Sequence, residues 1–159
     1  MGLSAFICIL SMKKIAISAC LLGEKCRYDA SDNRNDALLS QLEDSVLIPF
    51  CPEDHAFGSP RPTMDLVQTH IGIKAVSNST GADLSEPVEV YAKDFFDTHT
   101  DIDIFIGKDR SPSCGVCSAK LYDKDKNLIS INEAGLMAKE AKLRGIRAVD
   151  AEKFVSTLQ

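Results

Sequence analysis

The sequence predicts an α/β domain with a mainly parallel central sheet, and three observations predict it. Short apolar runs alternate with stretches of helical spacing, the pattern of helices laid over a sheet. Three of those runs end in loops that carry cysteine. The 159 residues amount to one ordinary domain. A single three-layer domain is therefore expected over 13–159, with cysteine-bearing loops at the carboxyl ends of its strands, behind an N-terminal extension of residues 1–12.

The elements follow in order. Gly2 to Leu10 is apolar, but no basic residue precedes it and Lys13 and Lys14 follow, which is not the layout of a signal peptide. Met12 is a plausible native start. Ile15 to Ser18 reads as a buried strand running into a loop from Ala19 to Asn33. Leu38, Leu39 and Leu42 share a helical face, with Asn33 or Asn35 available as cap. Val46 to Phe50 is the next strand, followed by Cys51, Pro52, Glu53 and a loop containing Gly58, Pro60 and Pro62. Leu66 to Val76 reads as a hairpin or two short strands around Gly72. A helix starts at Ser85, with Pro87 early and Val88, Tyr91, Ala92, Phe95 and His99 at helical spacing. Ile102 to Ile106 is a third core strand, and a loop from Gly107 to Cys117 follows it. Leu121 to Ile131 fits a hairpin turning at Lys124 to Asn127. A helix from Glu133 to Arg144 stopped by Gly145, a strand at Ile146 to Val149 and a terminal helix from Glu152 complete the chain.

Composition narrows the function. Hydrophobic residues make up 45% of the chain and charged residues 26%, a mix that builds a packed core. Lys and Arg number 18 against 23 Asp and Glu, so a net charge of -5 offers no broad footprint for a phosphate backbone. With no Trp, seven Phe and three Tyr there are few platforms for stacked bases. No extended nucleic-acid interface and no membrane span are expected, since no run reaches roughly 20 apolar residues. Small-molecule chemistry is left.

Six cysteines are the unusual feature: Cys8, Cys20, Cys26, Cys51, Cys114 and Cys117. Without an export segment they point to a reducing, cytoplasmic setting, where thiols serve as metal ligands or catalysts. Cys20, Cys51 and Cys114 each lie just past the carboxyl end of a predicted strand. In a parallel sheet those ends border the ligand crevice, so three distant thiolates can share one site there. One such cysteine alone reads as a small buried hydrophobe; three at equivalent points argue for a shared ligand. Thiolates suit zinc or iron-sulfur clusters, but structural zinc usually shows paired knuckles, and only Cys114 and Cys117 form such a pair. A four-iron cluster held by three separated cysteines would keep one iron without a protein ligand, a Lewis acid open to sulfur or oxygen. A thioredoxin-like reading of Cys114-Gly-Val-Cys117 is weakened by its place late in the chain.

Polar candidates accompany the thiols. Glu53, two residues after Cys51, suits a general base or acid, or a surface carboxylate. Ser111 and Ser113 flank Pro112 before Cys114, either as substrate-orienting groups or as turn chemistry. Arg27, Tyr28 and Asp29 follow Cys26, while Lys108, Asp109 and Arg110 precede the last loop; as single residues all read as solvated loop charge. His55, His70 and His99 are scattered and are not assigned as ligands.

Five motifs in order, S-A-C-L-L-G (Ser18 to Gly23), C-R-Y-D (Cys26 to Asp29), C-P-E (Cys51 to Glu53), R-P (Arg61, Pro62) and S-P-S-C-G (Ser111 to Gly115), resemble the thiouracil desulfidase family, formerly a domain of unknown function. The similarity spans roughly Lys13 to Ala151. It implies a cytosolic α/β protein in which Cys20, Cys51 and Cys114 hold a [4Fe-4S] cluster with one open iron. Glu53 and Ser113 inherit acid-base roles, and Cys26, Arg27, Tyr28, Asp29, Arg61 and Ser111 form a weaker set for substrate or support. The implied reaction is non-redox: the thiocarbonyl of a small thiolated nucleobase or nucleoside becomes a carbonyl with release of hydrosulfide. Ala30 and Phe57 stand where members tend to carry glycine, and Cys117 adds a thiol. Two rivals remain from the residues themselves: a non-catalytic zinc or Fe-S binding module, and a thiol redox protein using Cys114 and Cys117.

Overall fold

A computed structural model describes residues 12–157. The expected extension, apart from Met12, and Cys8 lie outside those residues. The expected parallel sheet is present and has four strands in the order β2-β1-β5-β8. Here β1 is Lys14–Ser18, β2 Val46–Phe50, β5 Ile104–Gly107 and β8 Arg147–Asp150. All three pairings are parallel, so every carboxyl end lies on one edge of the sheet.

Alternation along the strands makes the layers. Ile15 and Ile17 of β1 and Ile104 and Ile106 of β5 face helices α1 (Asp36–Gln41) and α5 (Ala151–Thr157), burying Leu38 and Phe154. Ala16 and Phe105 point the other way, onto α3 (Ser85–Thr98) and α4 (Leu136–Leu143). There Phe50 stacks on Phe105 with ring centroids 4.8 Å apart. Truncating either ring would cost about 3–5 kcal/mol by the usual core arithmetic. Asn35 caps α1, its Oδ1 accepting from the Leu38 N–H at 3.0 Å. Among the described residues no helix is long and apolar enough to cross a membrane.

Two expectations are corrected. The loop read after Cys51 is helix α2, Pro52–Phe57. Proline stands at its first position, Glu53 and Asp54 occupy its first turn, and Gly58 ends it at φ 76°. These are helix signals, masked by a length of six residues and by the Pro-rich sequence beyond. Next, the helix expected from Glu133 starts at Leu136, because Glu133 belongs to strand β7 (Leu128–Glu133). Strands β3 (Met64–Thr69), β4 (Gly72–Ser77), β6 (Ala119–Tyr122) and β7 form a second sheet in the order β4-β3-β6-β7, joined by a parallel β3–β6 pairing. Its buried face packs Leu66, Ala75 and Leu121 against Val88 of α3 and Leu136 of α4.

Candidate active site

Strand register levels the three loops. Ser18 pairs with Phe50 and Ile17 with Ile106, so β1, β2 and β5 end side by side. Cys20 follows β1 in a short 3-10 turn, Ala19–Leu22. Cys51 follows β2 and occupies the N-cap position of α2. Cys114 lies seven residues beyond β5, yet its loop folds back onto the strand end. Gly107 permits this, since a Cβ there would stand 1.8 Å from the Cys114 carbonyl oxygen.

Helix α4 anchors the same loop. The amides of Leu136, Met137 and Ala138 donate to the carbonyls of Pro112 and Ser113 at 2.8–3.2 Å, so the loop supplies the acceptors that the helix start needs. That explains why the helix begins where it does. Ser111 Oγ accepts from the Ser113 and Cys114 amides at 3.2 and 3.0 Å, a loop-shaping role. Asp150, at the end of β8, receives the Val116 and Cys117 amides at 2.8 and 2.9 Å and the Ser118 hydroxyl at 2.8 Å.

Cys20, Cys51 and Cys114 line one cavity of about 310 Å³, together with Cys26. The Cys51 thiol donates to the Cys26 carbonyl oxygen at 3.7 Å. The neighbouring thiols and burial hold Cys26 protonated. Cys26 draws the Cys20 thiol down to about 7, helped by Asn33, Lys108 and Arg27, and lowers Cys51 in the same way. Burial pushes the Cys114 thiol up, with Cys51 and Glu53 adding to the effect. Among the described residues no three His, Cys, Asp or Glu close on a single point as one metal ion would demand. The thiols ring a space, and a polynuclear thiolate-held group fits a ring of soft donors better than one ion does. Arg27, Lys108 and Arg61 on the same wall offset the charge of such a group.

Glu53 lines this cavity, and Ser113 stands behind it. Ser113 Oγ donates to Glu53 Oε2 at 2.9 Å, although 60 residues separate them. Ser113 is fully buried. Burial raises the Glu53 carboxyl above its ordinary range, opposed by the Ser113 hydroxyl and the Arg61 guanidinium. Arg61 Nε stands 3.8 Å from Glu53 Oε1, on the side away from Ser113.

The remaining sequence candidates divide. Arg27, Tyr28, Arg61 and Ser111 line the cavity. Asp29 does not: its Oδ1 accepts from the Ser31 amide and hydroxyl, closing a turn. Cys117 is exposed and stands 3.6 Å from Lys142 Nζ, whereas Cys114 is buried in the cavity wall. Sequence reasoning missed Asn33, whose Nδ2 reaches Cys20 Sγ at 3.6 Å, and Tyr91, whose hydroxyl accepts the Cys51 amide at 3.2 Å. Tyr91 reads in sequence as one more apolar-face residue of α3, so it carried no such signal.

Comparison with known proteins agrees with this arrangement. A family model described as 2-thiouracil desulfurase matches residues 15–153. Uncharacterized protein YbbK of Bacillus subtilis (strain 168) is 26% identical over 153 residues, covering 88% of this chain and 97% of that protein. A solved structure of the [4Fe-4S]-dependent thiouracil desulfidase TudS is 28% identical, with a TM-score of 0.69 over 89% of this chain and 92% of that one. With the family match running from β1 into the last helix, this chain belongs to the 2-thiouracil desulfurase family.

Proposed function

We propose that this protein is a cytoplasmic [4Fe-4S]-dependent desulfidase that turns the thiocarbonyl of a thiouracil-like base into a carbonyl and releases hydrosulfide. One observation carries the reading: the buried carboxyl of Glu53, hydrogen-bonded from behind by the Ser113 hydroxyl, shares a cavity with thiols from three adjacent strand ends. Likeness to the desulfidase TudS supports the same chemistry.

Cys20, Cys51 and Cys114 would hold the cluster, with Cys26 remaining a protonated thiol beside them. Held by three thiolates, the cluster supplies an iron free to act as a Lewis acid toward sulfur. Glu53 takes a proton from the water that adds to the thiocarbonyl carbon. The Ser113 hydroxyl keeps Glu53 Oε2 oriented, and Glu53 returns the proton to the departing sulfur. As the C–S bond breaks, the new hydroxyl on carbon loses its proton to become the carbonyl oxygen and sulfur leaves as hydrosulfide. Thiocarbonyl plus water thus gives carbonyl, hydrosulfide and one proton, with no electrons exchanged. A cavity of about 310 Å³ with Arg27 and Tyr28 in its lining suits a free base or nucleoside as substrate, and the five unpaired cysteines among the described residues suit a reducing compartment.

The test is anaerobic reconstitution followed by sulfide release from 2-thiouracil and 4-thiouracil. Wild type is expected to turn over. Cys51→Ser is expected to lose iron and activity together, whereas Glu53→Gln keeps its iron and loses about 10²-fold or more, the usual worth of a general base. Equal turnover by wild type and Cys51→Ser refutes the mechanism.

A further inference from the structure

The Arg61 side chain is only 7% exposed and lines the cavity. Its Nη1 is engaged, donating to the Gly58 carbonyl at 3.0 Å and to Ser59 Oγ at 2.6 Å. Its main-chain amide is tied to the Tyr28 carbonyl at 2.7 Å. Nε, by contrast, is buried with no hydrogen-bond partner, and Nη2 donates to none of the described residues. A guanidinium locked on one side with its buried Nε unsatisfied is a costly arrangement unless an acceptor arrives there. Glu53 Oε1, at 3.8 Å, lies beyond hydrogen-bonding distance.

The groups that share the cavity say what that acceptor is. The Cys114 thiol, the Glu53 carboxyl and the Arg61 guanidinium all line it, and Glu53 Oε1 stands 3.8 Å from Arg61 Nε. A thiouracil edge offers a matching set: thiocarbonyl, ring N–H, carbonyl oxygen. We infer that Arg61 determines specificity for a thio-imide: Glu53 Oε1 faces the ring N–H while the free edge of Arg61 donates to the second carbonyl oxygen. This rests on the desulfidase reading above. A thiocytosine places a bare ring nitrogen against the carboxyl and an amino group against the guanidinium, wrong at both points. Such double mismatch leaves buried polar groups unpaired and is a strong basis for rejection.

The experiment measures two things on cluster-loaded and cluster-free protein: binding of uracil and cytosine by isothermal titration calorimetry, and, for the loaded form, kcat/KM on 2-thiouracil and 2-thiocytosine. Wild type is expected to bind uracil at least about 10-fold more tightly than cytosine and to prefer 2-thiouracil by at least about 100-fold. Arg61→Lys, which keeps the charge but loses the planar fork, is expected to lower the binding ratio about 10-fold at unchanged iron content. A wild-type ratio near one, or no binding of either base, overturns the inference. So does an Arg61→Lys protein whose ratio is intact while turnover drops uniformly, since Arg61 would then only position Glu53. If the variant does not fold, the wild-type ratios decide. A preference for uracil binding without any sulfide release would sink the desulfidase reading and leave the base recognition standing; turnover without base preference does the reverse.

Discussion

Replacing Gly107 by alanine tests the geometry on which the site depends. A Cβ at Gly107 would stand 1.8 Å from the Cys114 carbonyl oxygen and 2.8 Å from its carbonyl carbon. Contacts below 3.0 Å are essentially never seen for a real Cβ, so the oxygen must retreat from 1.8 Å to at least that distance. No rotamer can absorb this, because both atoms are backbone. Strand β5 is held on both sides by β1 and β8, so the displacement falls on the loop carrying Ser113 and Cys114. Overpacking of this kind costs about 1–3 kcal/mol. At about 2–4 °C per kcal/mol for a chain of this size, the melting temperature should fall by several degrees. A shift of about 1 Å in Ser113 relative to Glu53 should also cost about 10²-fold in rate. Calorimetry, iron per chain after anaerobic reconstitution and sulfide release from 2-thiouracil measure the three effects. Gly81→Ala is the control: at φ 74° with open space around it, it carries backbone strain but touches nothing in the site. It should lose stability while keeping wild-type iron and rate. A Gly107→Ala protein matching wild type in melting temperature, iron content and turnover would show that the close approach does not locate Cys114.

Three further outcomes follow from other parts of the structure. Ala30 holds φ 61°, a left-handed conformation that costs a Cβ-bearing residue about 1 kcal/mol, so Ala30→Gly should raise the melting temperature by about 2–4 °C without changing iron content. Tyr91→Phe removes the acceptor of the Cys51 amide, and an unpaired amide there should cost about 1 kcal/mol or more, read as a lower melting temperature and weaker iron retention. Cys117→Ser should leave reconstituted iron and sulfide release unchanged, because this thiol is exposed beside Lys142; loss of activity would restore the redox reading of Cys114 and Cys117.

The amino-acid sequence by itself determined the α/β class, the parallel strands and the positions of Cys20, Cys51 and Cys114 just past strand ends. These are legible because apolar runs, caps and breakers act over a few residues, and a parallel sheet puts all its carboxyl ends on one edge. Helix α2 was also written locally, in Pro52, two acidic residues and Gly58, but six residues carry too little periodicity to be heard against the prolines that follow. Other features exist only after folding. The separate second sheet arises from the β3–β6 pairing, made between strands far apart in sequence, which no local pattern encodes. Likewise, Cys26 comes beside Cys20 and Cys51, Ser113 meets Glu53, and Arg61 Nε is buried without a partner through packing of distant segments. Local chemistry sets which groups stand at each strand end; strand register and the fold-back over Gly107 decide which of them touch.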